Sequence, residues 1–190
     1  MDLLRLVTIA ALAIFIAAQN ASADTKANSP TITMHQQLAG ELDESGWTTA
    51  VSTEGGYMVR IPTKYNDITA VQQQPDSVVD RSHTISALTV QGVKFTATRI
   101  HYKSDNKGAR AQFEKFKVSA GKLRYKSVKP MKMNGNEAME GEVVTARSTM
   151  IQRVILLGDD LFMMIVEYPK AQEAVAKRQI PTFFDSVKFD

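Results

Sequence analysis

The strongest constraint on the fold is a pair of apolar segments, residues 154–157 and 161–166, joined by the turn Gly158-Asp159-Asp160. Such a junction is typical of a β-hairpin. The second segment does not alternate, since Met163 and Ile165 occupy one face and Phe162, Met164 and Val166 the other. A strand that is apolar on both faces needs cover on both. The sequence therefore predicts the buried centre of an antiparallel sheet, with Asp159 and Asp160 as turn residues in a scaffold.

Further strands and helices are predicted around this centre. Strand patterns occur at residues 48–52, 57–61, 83–90, 93–102, 123–133 and 137–146, and helical patterns at residues 106–120 and 171–178. Residues 63–82 show little periodicity and are interpreted as a long loop of the kind that often forms a lid or a binding element. The predicted fold class is α+β, with a central antiparallel sheet of about six or seven strands covered by helices on both faces, an α/β/α sandwich.

The beginning of the chain has the pattern of an export signal. Arg5 precedes an apolar stretch at residues 6–18, and Ala21-Ser22-Ala23 follows as a small-residue cleavage site. The stretch is shorter than the roughly 20 residues that a spanning helix needs. We therefore predict a signal peptide at residues 1–23 and an exported protein, periplasmic or secreted, with no transmembrane segment after cleavage.

The remainder divides into a lead and one domain. Residues 24–45 are polar, with Met34, Leu38 and Leu42 at helical spacing, which predicts a flexible lead with a short helix. Residues 46–190 are of the size expected for a single α+β domain. The chain has no Cys, so its stability comes from packing without a disulfide.

Three stretches resemble the PsbP-like group of extracytoplasmic α/β/α proteins, named for the extrinsic subunit of photosystem II. They are the glycine-turn hairpin at residues 54–62, the hairpin at residues 156–166 and the aromatic finish at residues 183–189. The resemblance implies a non-enzymatic accessory or binding role and an antiparallel sheet between helical layers. No ligand residue transfers with it, because no metal or partner motif of the family is recognisable here.

The sequence contains no recognisable catalytic motif, so we predict a protein that is not an enzyme and that uses no cofactor. His83 and His101 lie at opposite ends of one predicted hairpin and could face each other. Two histidines without Cys or a nearby carboxylate pair make a poor zinc site, which needs three or four ligands. Two alternatives remain open: a hydrolase with a site under residues 63–82 that uses His83 or His101, and a carrier of a small apolar ligand.

Positive charge is concentrated in one segment. Residues 103–132 contain ten Lys or Arg and only two acidic residues, in a chain of net charge +3. The plainer interpretation is a solvated helix face and a lysine-protected strand edge. The functional prediction is a docking surface for an anionic protein or a membrane surface, whereas nucleic acid is disfavoured because exposed aromatic residues are not interleaved. The predicted binding residues are Lys107, Arg110, Lys115, Lys117, Lys122 and Arg124.

Overall fold

The computed structural model describes residues 29–103, 108–119 and 125–190. The predicted signal peptide lies outside these ranges. Within them the chain forms eleven strands and two α-helices: β1 (Thr31–Ala39), β2 (Thr48–Val51), β3 (Tyr57–Ile61), β4 (Tyr65–Val71), β5 (Val79–Leu88), β6 (Lys94–Tyr102), α1 (Gly108–Ser119), β7 (Tyr125–Met133), β8 (Asn136–Val144), β9 (Ser148–Leu157), β10 (Asp160–Pro169), α2 (Glu173–Asp185) and β11 (Lys188–Phe189).

Eight of the strands form one antiparallel sheet in the order β1-β4-β5-β6-β10-β9-β8-β7. The predicted central hairpin is confirmed: β9 and β10 pair from Asp160 opposite Leu157 to Pro169 opposite Ser148. Strand β10 lies between β9 and β6, and Phe162 and Met164 are fully buried. The remaining three strands form a small separate sheet in the order β11-β3-β2.

The two faces of the large sheet are covered in different ways. Helix α1 lies on one face and buries Ala109 and Phe113 against the odd-numbered residues of β10. On the other face, the small sheet and α2 pack together, and Phe183 and Phe184 are fully buried there. Among the described residues, neither helix combines the length and the apolar character needed to cross a membrane.

The predicted α/β/α sandwich is wrong, because the described chain is mostly β. Its large sheet has eight strands instead of six or seven, and a helical layer does not cover each face. The predicted hairpin at residues 48–61 does not belong to the large sheet, and its strand β3 pairs with β11. It lies across one face of the large sheet with α2, so a second sheet takes the place of the expected helices.

Two strands replace elements that were predicted differently. Residues 31–39, where a short helix was expected, form the edge strand β1, which is mostly exposed and therefore lacks a burial pattern. The predicted loop at residues 63–82 contains β4 and the start of β5. Strand β4 points Asp67 and Thr69 inward, and the buried Asp67 accepts hydrogen bonds from Ser52 Oγ and Thr53 N. Inward polar residues with such partners conceal the alternation that sequence analysis depends on.

The phenol of Tyr57 connects the small sheet to the large one. Tyr57 lies on β3, is 1% exposed, and places its hydroxyl between β5 and β6. There it donates a hydrogen bond to the carbonyl of Ala97 at 2.6 Å and accepts one from the amide of Ile85 at 3.1 Å. Ile85 and Ala97 form a cross-strand pair, so the Tyr57 side chain fixes the position of the small sheet against β5 and β6 of the large sheet.

We expect Tyr57→Phe to lower the free energy of unfolding by about 1–3 kcal/mol, since a buried carbonyl and a buried amide lose their partner. Chemical denaturation of the two proteins measures this difference. Tyr125→Phe is the matched control, because the Tyr125 ring packs edge-on against Phe116 and its hydroxyl has no hydrogen bond among the described residues. Equal losses in the two variants would contradict the role assigned to the Tyr57 hydroxyl.

Candidate functional site

The same tripeptide pattern, Arg-x-His, occurs on two neighbouring strands. Arg81-Ser82-His83 lies on β5 and Arg99-Ile100-His101 lies on β6. Because the strands are antiparallel, Arg81 lies opposite His101 and His83 lies opposite Arg99. Residues directly opposite one another share a face of the sheet. The two arginines and two histidines therefore form a four-residue group on one face, where the rings of the two histidines meet edge to face at 5.0 Å.

Asp160, the first residue of β10, is the acceptor that joins the two members of this group that lie on β6. It lies opposite His101 in the sheet and accepts hydrogen bonds from Arg99 Nε at 2.9 Å and His101 Nδ1 at 3.1 Å. Burial alone would raise the pKa of Asp160, but the contacts with His101 and Arg99 outweigh it and hold that pKa below its usual 3.8. Asp160 therefore remains a carboxylate, and it fixes Nδ1 of His101 as a donor.

A second polar centre lies beside it, around the hydroxyl of Thr69 on β4. The hydroxyl donates to Glu54 Oε2 at 3.0 Å and contacts His83 Nδ1 at 2.9 Å and His35 Nε2 at 2.8 Å. A hydroxyl has one proton, and here it goes to Glu54, so both imidazoles are donors. All three histidines of the chain thus belong to one polar region.

These side chains line a cleft of about 570 Å³ at one end of the sheet. Its lining residues are Glu54, Asp80, Arg81, His83, His101, Tyr102 and Asp160. Three of its charges are already paired: Arg81 and Asp80 with each other at 2.7 Å, and Asp160 with Arg99. Within the described ranges, His, Cys, Asp and Glu side chains form no group of three or more that could hold a metal ion.

His83 is the most buried member, with a side chain that is 3% exposed. Burial, followed by the nearby His101, lowers its pKa from 6.5 to about 4, and Glu54 only partly opposes this. At neutral pH the ring is therefore uncharged, and with Nδ1 donating to Thr69 its Nε2 carries a free lone pair. Tyr102 keeps its phenolic proton, because burial raises its pKa.

The predicted basic surface is only partly described. Lys107, Lys122 and Arg124 lie outside the described residues. Of the others, Arg110 and Lys117 reach the same carboxylate, Glu137, at 2.9 and 3.6 Å, and both also pair with Glu114. Lys115 lies about 140° around the helix from Arg110, at 100° per residue. The three residues therefore do not share one face, and docking through them stays a prediction.

Sequence reasoning missed most of the site, although one signal was present. The repeated Arg-x-His pattern on adjacent strands predicts four basic side chains on one face, once the register is known. Asp160 was interpreted as a turn residue, whereas the structure makes it the first residue of a strand. The sequence allowed His83 and His101 to face each other, and the structure makes them diagonal neighbours whose rings are in contact.

Stability should fall as the pH drops from about 6.5 towards 4, because His83 binds a proton more readily in the unfolded chain than in the folded one. Its contribution is complete above pH 6.5, and the loss is on the order of 3 kcal/mol. Denaturation across this pH range measures it. In His83→Asn, which keeps a donor near Nδ1 but cannot ionise, we expect a flatter pH dependence; an unchanged slope would contradict the assignment to His83.

No family model and no curated protein matches the chain. Among solved structures, it is similar to the PsbP (CyanoP) of Synechocystis sp. PCC 6803, with a TM-score of 0.48 and 10% identity over 80% of this chain and 97% of that one. It is also similar to LpqN of Mycobacterium tuberculosis, a protein involved in cell envelope biogenesis, with a TM-score of 0.37 and 11% identity over 86% and 85%. A PsbP is thus among the solved structures to which the chain is similar, as the sequence predicted, but with both TM-scores below 0.5 the likeness carries no argument about ligand, partner or activity.

Proposed function

We propose that this chain is an exported, non-enzymatic binding domain that holds a small hydroxyl-rich ligand, such as a carbohydrate, in the histidine cleft. The observation that carries the proposal is the convergence of all three histidines with Glu54, Asp160 and two arginines in one hydrogen-bonded region beside an open cleft. Buried polar groups are costly unless they are satisfied. Here fixed protein partners satisfy them, so the cleft is organised before a ligand arrives.

The hydroxyl-rich class follows from how the cleft distributes its donors and acceptors. Arg81 uses Nε on Asp80, which leaves its other N–H groups as donors, and Tyr102 retains a phenolic proton. Glu54 has a second carboxylate oxygen as an acceptor. Because the charges are largely paired within the protein, neither an anion nor a cation is strongly favoured. A ligand hydroxyl both donates and accepts, and so it matches such mixed surroundings.

Binding is favoured over catalysis for two reasons. None of the described residues that line the cleft is Ser, Thr or Cys, the side chains that most often serve as nucleophiles on acyl groups. His83, with a pKa of about 4, is a weak base near neutral pH. The cleft does contain a histidine beside a carboxylate, His101 with Asp160, which is the feature that a water-activating hydrolase would use. The polar lining of the cleft disfavours the other alternative, a carrier of an apolar ligand.

The ligand proposal is tested by titrating the protein with glucose and with N-acetylglucosamine, using phosphate and methylammonium as charged probes. The chain has three histidines, so their ring signals can be followed individually in ¹H–¹⁵N spectra as each probe is added. We expect a saturable shift of the His101 ring with a sugar. Asp160→Asn should weaken that binding about tenfold, which corresponds to about 1.4 kcal/mol, because the acceptor shared by His101 and Arg99 loses its negative charge and holds both side chains less firmly.

The matched control is Asp159→Asn, an exposed neighbour in the same turn, which should bind as the wild type does. A response to phosphate or methylammonium without a response to sugar would show that the ligand class is wrong. If no probe moves the His101 signals, the cleft is not the binding site. Hydrolysis of glycosides or esters that is lost in His101→Gln would favour the hydrolase instead.

A second candidate is docking to an anionic membrane surface through the basic segment. The observation that favours it is that Lys115 and Lys129 are exposed and form no ion pair among the described residues. Other basic side chains of the segment are engaged: Arg110 and Lys117 with Glu114 and Glu137, and Lys126 with Glu142 at 3.5 Å. Attraction to anionic lipid would therefore depend mainly on the lysines that remain free.

For this second candidate we expect the double variant Lys115→Glu and Lys129→Glu to sediment several-fold less with phosphatidylglycerol vesicles at low salt than the wild type. The charge-matched control is Lys64→Glu with Lys170→Glu, which makes the same change of net charge at exposed positions outside the segment. If both double variants lose binding equally, net charge is responsible and not the segment. If the wild type fails to sediment, docking to lipid is wrong.

A further inference from the structure

The two edges of the large sheet have opposite chemical characters. Edge strand β7 carries Lys126, Lys129 and Lys132 together with Pro130, which are the residues that prevent edges from pairing with other chains. Edge strand β1, with the sequence Thr-Ile-Thr-Met-His-Gln-Gln-Leu-Ala, contains no Lys, Arg, Asp, Glu or Pro. It pairs with β4 on one side, and its other side has no partner strand among the described residues. Strand β1 is thus an unprotected edge.

Apolar side chains on this edge reinforce the contrast. Ile32 is 52% exposed and Met34 is 41% exposed, on the same face of the strand. From Thr31 to Met34 the pairing with β4 is regular, and the irregularities occur only after Met34. The part of the edge that carries the exposed apolar residues is therefore straight enough to accept another strand, while the bulged part beyond it is not.

We propose that β1 pairs with β1 of a second copy of this chain, antiparallel about a two-fold axis at Thr33. In that register Ile32 of one copy faces Met34 of the other, twice, on either side of the central pair of Thr33 residues, so that apolar side chains meet apolar side chains. A strand that is self-complementary and uncharged suits a symmetric partner, because a two-fold interface brings the same surface of both copies together. The pairing is independent of the ligand proposed for the cleft.

An interface of one short strand falls below the area of most stable complexes, so dimerisation should be weak and visible only at high protein concentration. Sedimentation equilibrium of the purified protein should show a monomer and dimer in exchange. Ile32→Lys, which gives β1 the protection that β7 already has, should weaken the dimer about tenfold or more. Val90→Lys, at a fully exposed site in the turn between β5 and β6, should leave it unchanged.

The register is tested by crosslinking, because the chain has no Cys of its own. Thr33→Cys should be joined to its symmetry mate by a short bismaleimide, while Thr49→Cys, exposed on β2, should not be. A dimer that persists in Ile32→Lys, or that fails to crosslink in Thr33→Cys, would overturn β1 pairing. If the wild type stays monomeric, a second copy of the chain is not the partner of β1. Shifts of the β1 amide signals on adding an extended peptide would then identify a different partner.

Discussion

The whole fold depends on one strand that is apolar on both faces. Residues 161–166 of β10 leave no polar side free for water, so each face of the sheet must be covered. Helix α1 covers one face, and the small sheet with α2 covers the other. Because β10 lies inside an eight-stranded sheet, its neighbours extend the buried area on both sides. The positions of α1 on one face, and of the small sheet and α2 on the other, determine which parts of the large sheet are exposed to solvent.

The candidate site lies where this apolar run begins. On the face of the large sheet that the small sheet covers, Phe162 packs into the core. Asp160, two residues earlier on the same strand and face, lies at the margin of that core. A carboxylate at the margin of a core needs donors, and β6 supplies them through Arg99 and His101. Arg99 also donates to the carbonyl of Gly55, so the turn that closes over the face is tied to the same charge. The same hydrogen bonds therefore hold the turn at Gly55 and build the candidate site, which explains why Asp160 is half-buried.

The sequence was informative wherever burial leaves a pattern. The central hairpin, the helix at residues 108–119 and the hairpin of β2 and β3 were predicted, because apolar residues repeat there at strand or helix spacing. Strand β1 was missed because an exposed edge buries too little to show a pattern. Strand β4 was missed because Asp67 and Thr69 point inward. One of these inward residues, Thr69, also belongs to the candidate site, so what hid a strand from sequence analysis also hid part of that site. Only His83 and His101 were identified, and their partners depend on a register that no local pattern specifies.

Part of the concentrated positive charge of residues 103–132 is explained by the position of β7 at the edge of the large sheet. Lys129 lies opposite Glu140 and Lys132 opposite Glu137 in the pairing of β7 with β8, but both carboxylates form ion pairs with other residues, Glu140 with Arg153 and Glu137 with Arg110 and Lys117. Lysines on an edge prevent other chains from adding to it. The lysines of β7 therefore protect this edge of the large sheet. Of the two edge strands of the large sheet, only β7 carries lysines. Because β1 is uncharged, a strand of another chain can pair with it without electrostatic repulsion.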